Sequence, residues 1–116
     1  MIINITNELK VPGIYKLTYD NNKIYIGQAL SIWSRAHEHN NKNRYPCDKA
    51  LKKHKASIEI LEIVQDITQL DQIESKWIAY YNATNKEIGY NILSEGNASG
   101  KSGTDNCNAV FDNKEI

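Results

Sequence analysis

The chain has 116 residues, of which 41% are apolar and 24% charged, and its formal net charge is zero. This length fits a single domain with one modest hydrophobic core. No apolar run approaches the roughly 20 residues that a membrane-spanning helix requires, and the first residues lack the basic start and apolar stretch of a secretory signal. Cys47 and Cys107 make neither a disulfide framework nor a paired metal motif, so a reducing cytoplasm is expected.

The zero net charge hides an uneven distribution. Residues 1–55 carry ten Lys or Arg and four acidic residues, whereas residues 56–116 carry four Lys or Arg and ten acidic residues. Most of the basic excess lies in residues 41–55. A phosphate backbone needs a local cationic face rather than a basic protein, so the distribution permits a nucleic-acid partner. The commoner meaning of such a basic stretch is a solvated helix face.

The region from residue 13 to residue 27 predicts a β-hairpin. Two runs of β-branched and aromatic residues, 13–19 and 23–27, flank the polar turn Asp-Asn-Asn. The tripeptide Gly-Ile-Tyr opens the first strand, and its reverse, Tyr-Ile-Gly, closes the second. Antiparallel pairing brings these two strand ends together, which explains why the tripeptides read in opposite directions.

The length of the turn decides whether Tyr15 and Tyr25 share a face of the hairpin. A two-residue turn pairs Asp20 with Lys23 and places the two tyrosines on opposite faces. A three-residue turn pairs Tyr19 with Lys23 and places both on the same face. If the tyrosines act together, the turn therefore has three residues.

The segment after the hairpin predicts a helix that Ser31 caps and that ends near Asn40. Arg35 and His39 are four residues apart and lie on one face of this helix. They are either functional groups or part of a partly exposed polar ridge.

The basic stretch and the segment that follows it predict a second helix and a third strand. Pro46 suits the first turn of a helix that ends near Lys53. Residues 57–64, "SIEILEIV", alternate apolar and acidic side chains as a half-buried strand does.

The longest helix is predicted to begin at Thr68, in a capping box with Asp71, and to end near Asn82. Five apolar residues follow the spacing of a core-facing stripe: Leu70, Ile73, Trp77, Ile78 and Tyr81. Glu74 lies inside this stripe, where a carboxylate needs a cation or takes a raised pKa. The alternative is a glutamate at the edge of the stripe that reaches water or a lysine.

The predicted order of elements is β-β-α-α-β-α. It corresponds to an α/β (α+β) fold in which a small three-stranded, mainly antiparallel sheet is flanked by helices. Residues 88–93 add a short extended piece, and residues 1–96 form the domain. Residues 97–116 are rich in Gly, Ser and Asn and are expected to form a flexible linker.

The polar residues singled out above supply phenols, a guanidinium, an imidazole and a carboxylate. These are the groups required to hydrolyse a phosphodiester with one metal ion. The tripeptides at residues 13–15 and 25–27 resemble the name motif of the GIY-YIG nucleases. Arg35 falls eight residues after the second tripeptide and His39 four residues later, as in the first helix of that family.

The resemblance extends along residues 12–96. Glu74 in "IESKWIAYY" resembles the metal-binding glutamate of the family, and Asn91 in "GYNIL" resembles its late asparagine. Residues 25–40 and 80–96 are most similar to the catalytic domains of phage and intron homing endonucleases. This similarity implies a phage-encoded or mobile-element-encoded protein in a bacterial cytoplasm. The ending of the chain resembles the opening of a small DNA-binding module, either truncated or naturally minimal.

The resemblance implies a metal-dependent DNA endonuclease with one Mg²⁺ or Mn²⁺ ion. Glu74 supplies the protein ligand, and water and phosphate oxygen would complete the shell, as suits Mg²⁺. The coplanar N–H groups of the Arg35 guanidinium would donate to the phosphate oxygens as negative charge builds on them in the transition state. The substrate that the resemblance implies is double-stranded DNA. The chain is expected to act as a monomer without a membrane partner.

By resemblance Tyr15 is the general base, and this requires Arg35 and the metal to favour its phenolate. Tyr25 and His39 would orient the attacking water and relay its proton, and the roles of Tyr15 and Tyr25 are exchangeable at this stage. Gly13 and Gly27 would let a phosphate backbone come close to the end of the hairpin. The predicted DNA-binding residues are Gly13, Lys23, Gly27, Lys49, Lys52, Lys53 and Asn91.

Two other interpretations of the sequence stay open. One is an enzyme of the same fold that acts in repair or on branched DNA, which a cleavage assay on linear and branched substrates separates. The other is a catalytically silent DNA-binding module, although every member of the catalytic set is present. A domain that binds no nucleic acid would leave Glu74 and Arg35 without a purpose.

Overall fold

The structure is a computed structural model, and it describes residues 1–92. Its strands are β1 (Gly13–Tyr19), β2 (Ile24–Ala29) and β3 (Ala56–Ile63), and its helices are α1 (Ile32–Asn41), α2 (Pro46–Ala50) and α3 (Leu70–Tyr81). Short 3₁₀ turns cover Asn7–Leu9 and Ile67–Gln69. The order β-β-α-α-β-α confirms the predicted fold class. The predicted linker and DNA-binding segment, residues 97–116, lie outside the described residues.

The three strands form one sheet in the order β2-β1-β3, and both neighbouring pairs are antiparallel. The extended piece after α3 adds an isolated parallel bridge between Gly89 and Ile24 at the outer edge of β2. The side chain of Asn91 continues this contact, since its Oδ1 accepts from Ile26 N at 2.9 Å and its Nδ2 donates to Ile26 O at 2.8 Å. The C-terminal piece thus holds the edge strand of the hairpin in place.

The hairpin has the three-residue turn. Tyr19 N donates to Lys23 O at 2.9 Å, and Leu17 lies opposite Tyr25 in the strand register. Asn22 takes the left-handed conformation, with φ of 72°, that such a turn needs and that asparagine tolerates. Because Leu17 is two residues from Tyr15, both tyrosines lie on the same face of the sheet, as the odd-length turn predicts.

Each face of the sheet carries its own core. On one face Tyr15, Tyr19 and Tyr25 pack with α1 and α2. On the other face Ile14 and Ile26 pack with α3. The domain is therefore three layers deep. Within residues 1–92, no helix combines the length and the apolar character that crossing a membrane requires.

Ser31 caps α1 as predicted, because its Oγ accepts from Ser34 N at 3.3 Å. Helix α2 is shorter than predicted and ends at Ala50 rather than near Lys53. The following residues form turns in which Lys52 N and Lys53 N each donate to the carbonyl three residues before.

The capping box predicted for α3 is wrong. The helix begins at Leu70, after a 3₁₀ turn that Asp66 caps by accepting from Thr68 N at 3.2 Å and from Thr68 Oγ1 at 2.6 Å. The Oδ1 atom of Asp71 accepts from Gln28 Nε2 at 2.6 Å. Thr68 and Asp66 are both suitable caps in the sequence, and the extra 3₁₀ turn selects Asp66.

Candidate active site

Two phenols and an imidazole form the centre of the candidate site. Tyr15 from β1 and Tyr25 from β2 have ring centroids 6.3 Å apart, and neither has any exposed surface. The His39 ring from α1 packs edge-on against both, with centroids 5.9 Å from Tyr15 and 5.7 Å from Tyr25. The three-residue turn of the hairpin and the buried face of α1 therefore bring together three of the predicted catalytic residues.

A hydrogen-bonded chain runs through His39. Its Nε2 lies 2.7 Å from the Tyr15 hydroxyl, and its Nδ1 lies 2.7 Å from Asp48 Oδ1 on α2. An ionised carboxylate only accepts, so Nδ1 carries the proton and the unprotonated Nε2 accepts from the Tyr15 hydroxyl. His39 is 4% exposed and Asp48 3% exposed, so both bonds are shielded from water.

Asp48 is a member of the candidate site that the sequence did not predict. Its pairing with His39 spans nine residues and two helices, and no periodicity connects them. One signal was present: Asp48 is the only acidic residue in the basic stretch 41–55.

Arg35 lies beside this chain on α1. Its guanidinium hydrogen-bonds the Tyr15 hydroxyl, and its Nη1 lies 3.3 Å from Glu38 Oε1. The side chain is 17% exposed, so it connects the buried phenol to the protein surface. Arg35 is thus placed to meet a phosphate that approaches Tyr15 from solvent.

The phenols are neutral in this environment. Burial raises the pKa of Tyr15 far above its ordinary value of 10, and Arg35 only partly opposes this effect. Burial also raises the pKa of Tyr25. Arg35 therefore does not by itself offset the burial of Tyr15, and the phenolate that the resemblance implies would need a metal ion or a proton acceptor beside the phenol as well.

Glu74 lies on α3, on the other side of the sheet from the tyrosine layer. It is 5% exposed, which confirms that it belongs to the buried face of the helix rather than to a solvent-facing edge. Its Oε1 accepts from Gln28 Nε2 at 2.9 Å, and the same nitrogen donates to Asp71 Oδ1. Its negative charge adds to burial in raising the pKa of Tyr15 and Tyr25, so it acts on both phenols.

Two groups of side chains could hold a metal ion. Glu74 and Asp71 are carboxylates that Gln28 draws together, and this oxygen donor set fits Mg²⁺ or Mn²⁺. His39, Cys47 and Asp48 also place ligand atoms within 4.8 Å of one another. Both nitrogens of His39 are already hydrogen-bonded, and a metal there would have to break these bonds. The carboxylate pair fits the ion better.

The glycines of the two tripeptides serve packing inside the domain. A Cβ on Gly27 would collide with the hydroxyl end of the Tyr15 ring, and one on Gly13 would collide with the carbonyl oxygen of Glu62 on β3. Gly27 thus lets Tyr15 lie flat across β2 and reach His39. Each of these glycines thus has a packing role inside the domain, and the approach of a phosphate backbone to this end of the hairpin stays a prediction.

The other predicted DNA-binding residues fall in different places. Lys49, Lys52 and Lys53 are exposed on α2 and the turns after it. Lys23 Nζ lies 5.6 Å above the Tyr90 ring at the far end of the hairpin. Asn91 is buried and its amide is hydrogen-bonded to the main chain of β2, so the structure gives this side chain a structural contact. DNA contact by any of these residues stays a prediction.

A small polar cleft leads to the histidine and aspartate of the site. Its lining residues are Arg35, Glu38, His39, Lys42, Arg44, Tyr45 and Asp48. Three of them are cations, and Lys42 and Arg44 were not among the predicted site residues. The cleft therefore offers a positively charged approach to the buried hydrogen-bonded chain.

The fold and these side chains define a small α+β domain equipped for phosphodiester chemistry, with buried phenols, an imidazole, a guanidinium and a carboxylate. The family model described as the GIY-YIG catalytic domain matches residues 11–88. The chain therefore belongs to the GIY-YIG family of nuclease domains. The match includes the five predicted catalytic residues and ends before Asn91. Comparisons with curated proteins and with solved structures found no match.

The burial of His39 makes the stability of the domain depend on pH. Burial lowers the pKa of His39 below its ordinary value of 6.5, and the hydrogen bond that His39 Nδ1 donates to Asp48 only partly opposes this. Below pH 6.5 the unfolded chain therefore binds a proton that the folded chain resists, and stability falls as the pH falls. Urea unfolding at pH 7.5 and pH 5.5 should show a loss of up to about 1.4 kcal/mol per pH unit from this group.

The variant His39→Gln isolates this effect and should lose less stability than the wild type over the same pH interval. The control is His37→Gln, on the same helix, where the ring packs against Trp33 outside the site. An identical pH dependence in wild type and His39→Gln would contradict the prediction.

Proposed function

We propose that the chain is a metal-dependent DNA endonuclease that hydrolyses phosphodiester bonds, in the manner of homing endonucleases. One observation carries the proposal beyond family membership: the Tyr15 hydroxyl is hydrogen-bonded to an imidazole that has a carboxylate behind it, with a guanidinium alongside. Structural tyrosines rarely need such a chain, whereas proton transfer does.

The proton path follows from the protonation states. The attacking water gives a proton to the Tyr15 oxygen as that oxygen passes its own proton to His39 Nε2, 2.7 Å away. Lowering of the His39 pKa by burial keeps Nε2 unprotonated at neutral pH and ready to accept. A neutral tyrosine can therefore act as a base without a standing phenolate.

The same contact distinguishes the two tyrosines. The hydroxyl of Tyr15 bonds directly to His39 Nε2, whereas the Tyr25 ring packs edge-on against the imidazole. This supports Tyr15 as the base and gives Tyr25 the task of holding the imidazole and the water in place.

Arg35 would meet the charge that builds on the non-bridging oxygens. Its guanidinium is planar, stays protonated and is partly exposed, so it can form two parallel bonds to phosphate. Both tyrosines are fully buried, so DNA must displace a covering side chain to bring its phosphate to Tyr15. The exposed side of Arg35 gives this first contact.

Glu74, with Asp71 beside it, would hold the divalent ion. When bound, such an ion supplies positive charge for the leaving oxygen and the phosphate. Gln28 bridges the two carboxylates and fixes their relative position. The preference for Mg²⁺ over softer ions follows from an all-oxygen donor set.

Incubation with supercoiled plasmid, with Mg²⁺ or with EDTA, tests the proposal. We expect nicked or linear product in Mg²⁺ and none in EDTA. Shifted but uncut DNA in a gel with Mg²⁺ or Mn²⁺ would instead indicate a silent DNA-binding module. Faster cutting of a branched duplex than of a linear one would favour a repair or structure-specific nuclease.

The exposed lysines after α2 should contribute to DNA binding rather than to the chemical step. Replacing Lys52 and Lys53 with Gln should weaken binding, and should lower the slope of log K against log salt by roughly one for each phosphate that is no longer neutralised. The single-turnover rate at saturating enzyme should change little, since neither side chain lies in the site. Lys86→Gln, an exposed lysine in the loop after α3, serves as the control. An unchanged salt slope in the double variant would remove this region from the DNA interface.

A further inference from the structure

We propose that Asp48 is a positioning residue of this nuclease, which fixes the tautomer of His39 so that Nε2 can take the proton of Tyr15. The inference rests on the proposed endonuclease function and adds a residue to it. Two contacts of one buried carboxylate carry it, one with the imidazole of His39 and one with the main chain of Arg44.

The first contact sets the tautomer. Asp48 Oδ1 lies 2.7 Å from His39 Nδ1, and a carboxylate at this distance requires the proton to be on Nδ1. The second nitrogen of the ring is then a pure acceptor. It faces the Tyr15 hydroxyl at 2.7 Å, so the direction of both hydrogen bonds follows from Asp48.

The second contact holds the carboxylate in position. Asp48 Oδ2 accepts from Arg44 N, just before α2, at 3.3 Å. One oxygen of Asp48 therefore accepts from the main chain at the start of the helix, and the other accepts from the imidazole of His39. The rotation of the carboxylate is thereby defined by the fold, and the aspartate cannot swing away from His39 without losing a main-chain bond.

The charge of Asp48 matters once the proton moves. As the water oxygen bonds to phosphorus and the bond to the leaving oxygen breaks, the proton of water goes to Tyr15 and that of Tyr15 goes to His39 Nε2. The result is a buried imidazolium, which burial alone disfavours. Asp48 offsets this cost through a charge-assisted bond. The leaving oxygen takes a proton from solvent, and His39 later returns its proton through the polar cleft it lines.

Other charged groups surround His39 but act differently. Its own helix contributes Arg35, whose positive charge opposes protonation, and Glu38, whose negative charge favours it from a more exposed position. β1 and β2 contribute only the neutral phenols Tyr15 and Tyr25. Among the described residues, Asp48 is the anion bonded directly to the imidazole.

The chain contains a matched pair for a control. Asp20 Oδ1 lies 2.6 Å from His54 Nδ1, and Asp20 Oδ2 accepts from Lys55 N at 3.2 Å. This is the same pattern of one imidazole and one main-chain donor on a single carboxylate. It lies at the turn of the hairpin and is far more exposed than the pair of His39 and Asp48.

The test is the substitution Asp48→Asn. Arg44 N needs an acceptor, so the amide oxygen should stay with it and the amide nitrogen should face His39 Nδ1. That nitrogen donates, which forces the proton of His39 onto Nε2 and blocks transfer from Tyr15. We expect kcat to fall at least 100-fold with DNA affinity unchanged, and ¹⁵N NMR of His39 to show the proton moving from Nδ1 to Nε2. Asp20→Asn should leave the cleavage rate as in the wild type.

A wild-type rate in a folded Asp48→Asn variant would overturn the inference. So would ¹⁵N NMR that finds the proton on Nε2 in the wild-type chain, a measurement that needs no variant and stands even if Asp48→Asn does not fold. A wild type that cuts no DNA under any metal would overturn the endonuclease function. In that event a tautomer shift in Asp48→Asn would still support the positioning of His39 by Asp48.

Discussion

Glu74→Ala is expected to abolish cleavage while leaving the fold and DNA binding nearly intact. A buried carboxylate on the apolar face of α3 is not placed there by packing, and its removal should take away the metal site rather than the core. Gln28 keeps its bond to Asp71 at 2.6 Å in the variant, so its amide is not left without a partner. Loss of the Gln28–Glu74 bond, a hydrogen bond to a charged group, should cost roughly 1.5–3 kcal/mol.

Glu62→Ala is the matched control for this substitution. The Oε1 atom of Glu62 accepts from Trp77 Nε1 at 3.0 Å, so it is also a carboxylate that joins the sheet to α3 through a neutral donor. The Glu62→Ala variant should lose about as much stability as Glu74→Ala but should keep the cleavage rate of the wild type. Single-turnover cleavage in Mg²⁺ and direct Mn²⁺ binding by the protein separate the two variants. Cleavage by Glu74→Ala at a rate close to wild type would show that the metal assignment is wrong.

The parts of the site that the sequence could predict are those that one periodicity determines. Side chains alternate between the two faces of a strand, so the length of the turn decides whether Tyr15 and Tyr25 lie on the same face. The observed register has the three-residue turn, which places them on the same face. Helical spacing likewise predicts that Glu74 falls inside the apolar stripe, and it is buried there. In both cases the relevant neighbours belong to one hairpin or one helix.

The parts that the sequence could not predict depend on contacts between elements. Asp48 looks like a solvated acid within a basic stretch until α2 packs against α1 and buries it beside His39. Gln28 belongs to no motif in the sequence that would mark it as a site residue. Its role is visible only in the structure, where its amide donates to two carboxylates of α3. The packing role of Gly27 is not visible in the sequence either, because the Tyr15 ring that a Cβ on Gly27 would meet comes from the neighbouring strand.

Burial also changes the chemistry expected of the tyrosine. A phenol beside an arginine predicts a phenolate when the surroundings are treated as water, but desolvation of the fully buried ring outweighs that charge. Tyr15 therefore needs a metal ion or a proton acceptor beside it to act as the base. Tyr15 and His39 can each be recognised in the sequence, and the structure adds the hydrogen bond between them.

Tyr15→Phe is expected to reduce the cleavage rate by roughly 10²–10⁴-fold, the range typical of a lost general base. The ring still fills the space above Gly27, so only the hydroxyl that faces His39 Nε2 is lost. Tyr19→Phe is the matched control, because Tyr19 lies in the same core and its hydroxyl donates to the Cys47 carbonyl at 2.9 Å. At roughly 1 kcal/mol for each hydrogen bond, Tyr15→Phe should lose more stability than Tyr19→Phe, because the Tyr15 hydroxyl bonds both His39 and Arg35. Only Tyr15→Phe should lose activity. Tyr25→Phe should have a smaller effect on the single-turnover rate than Tyr15→Phe, and the reverse order would make Tyr25 the base.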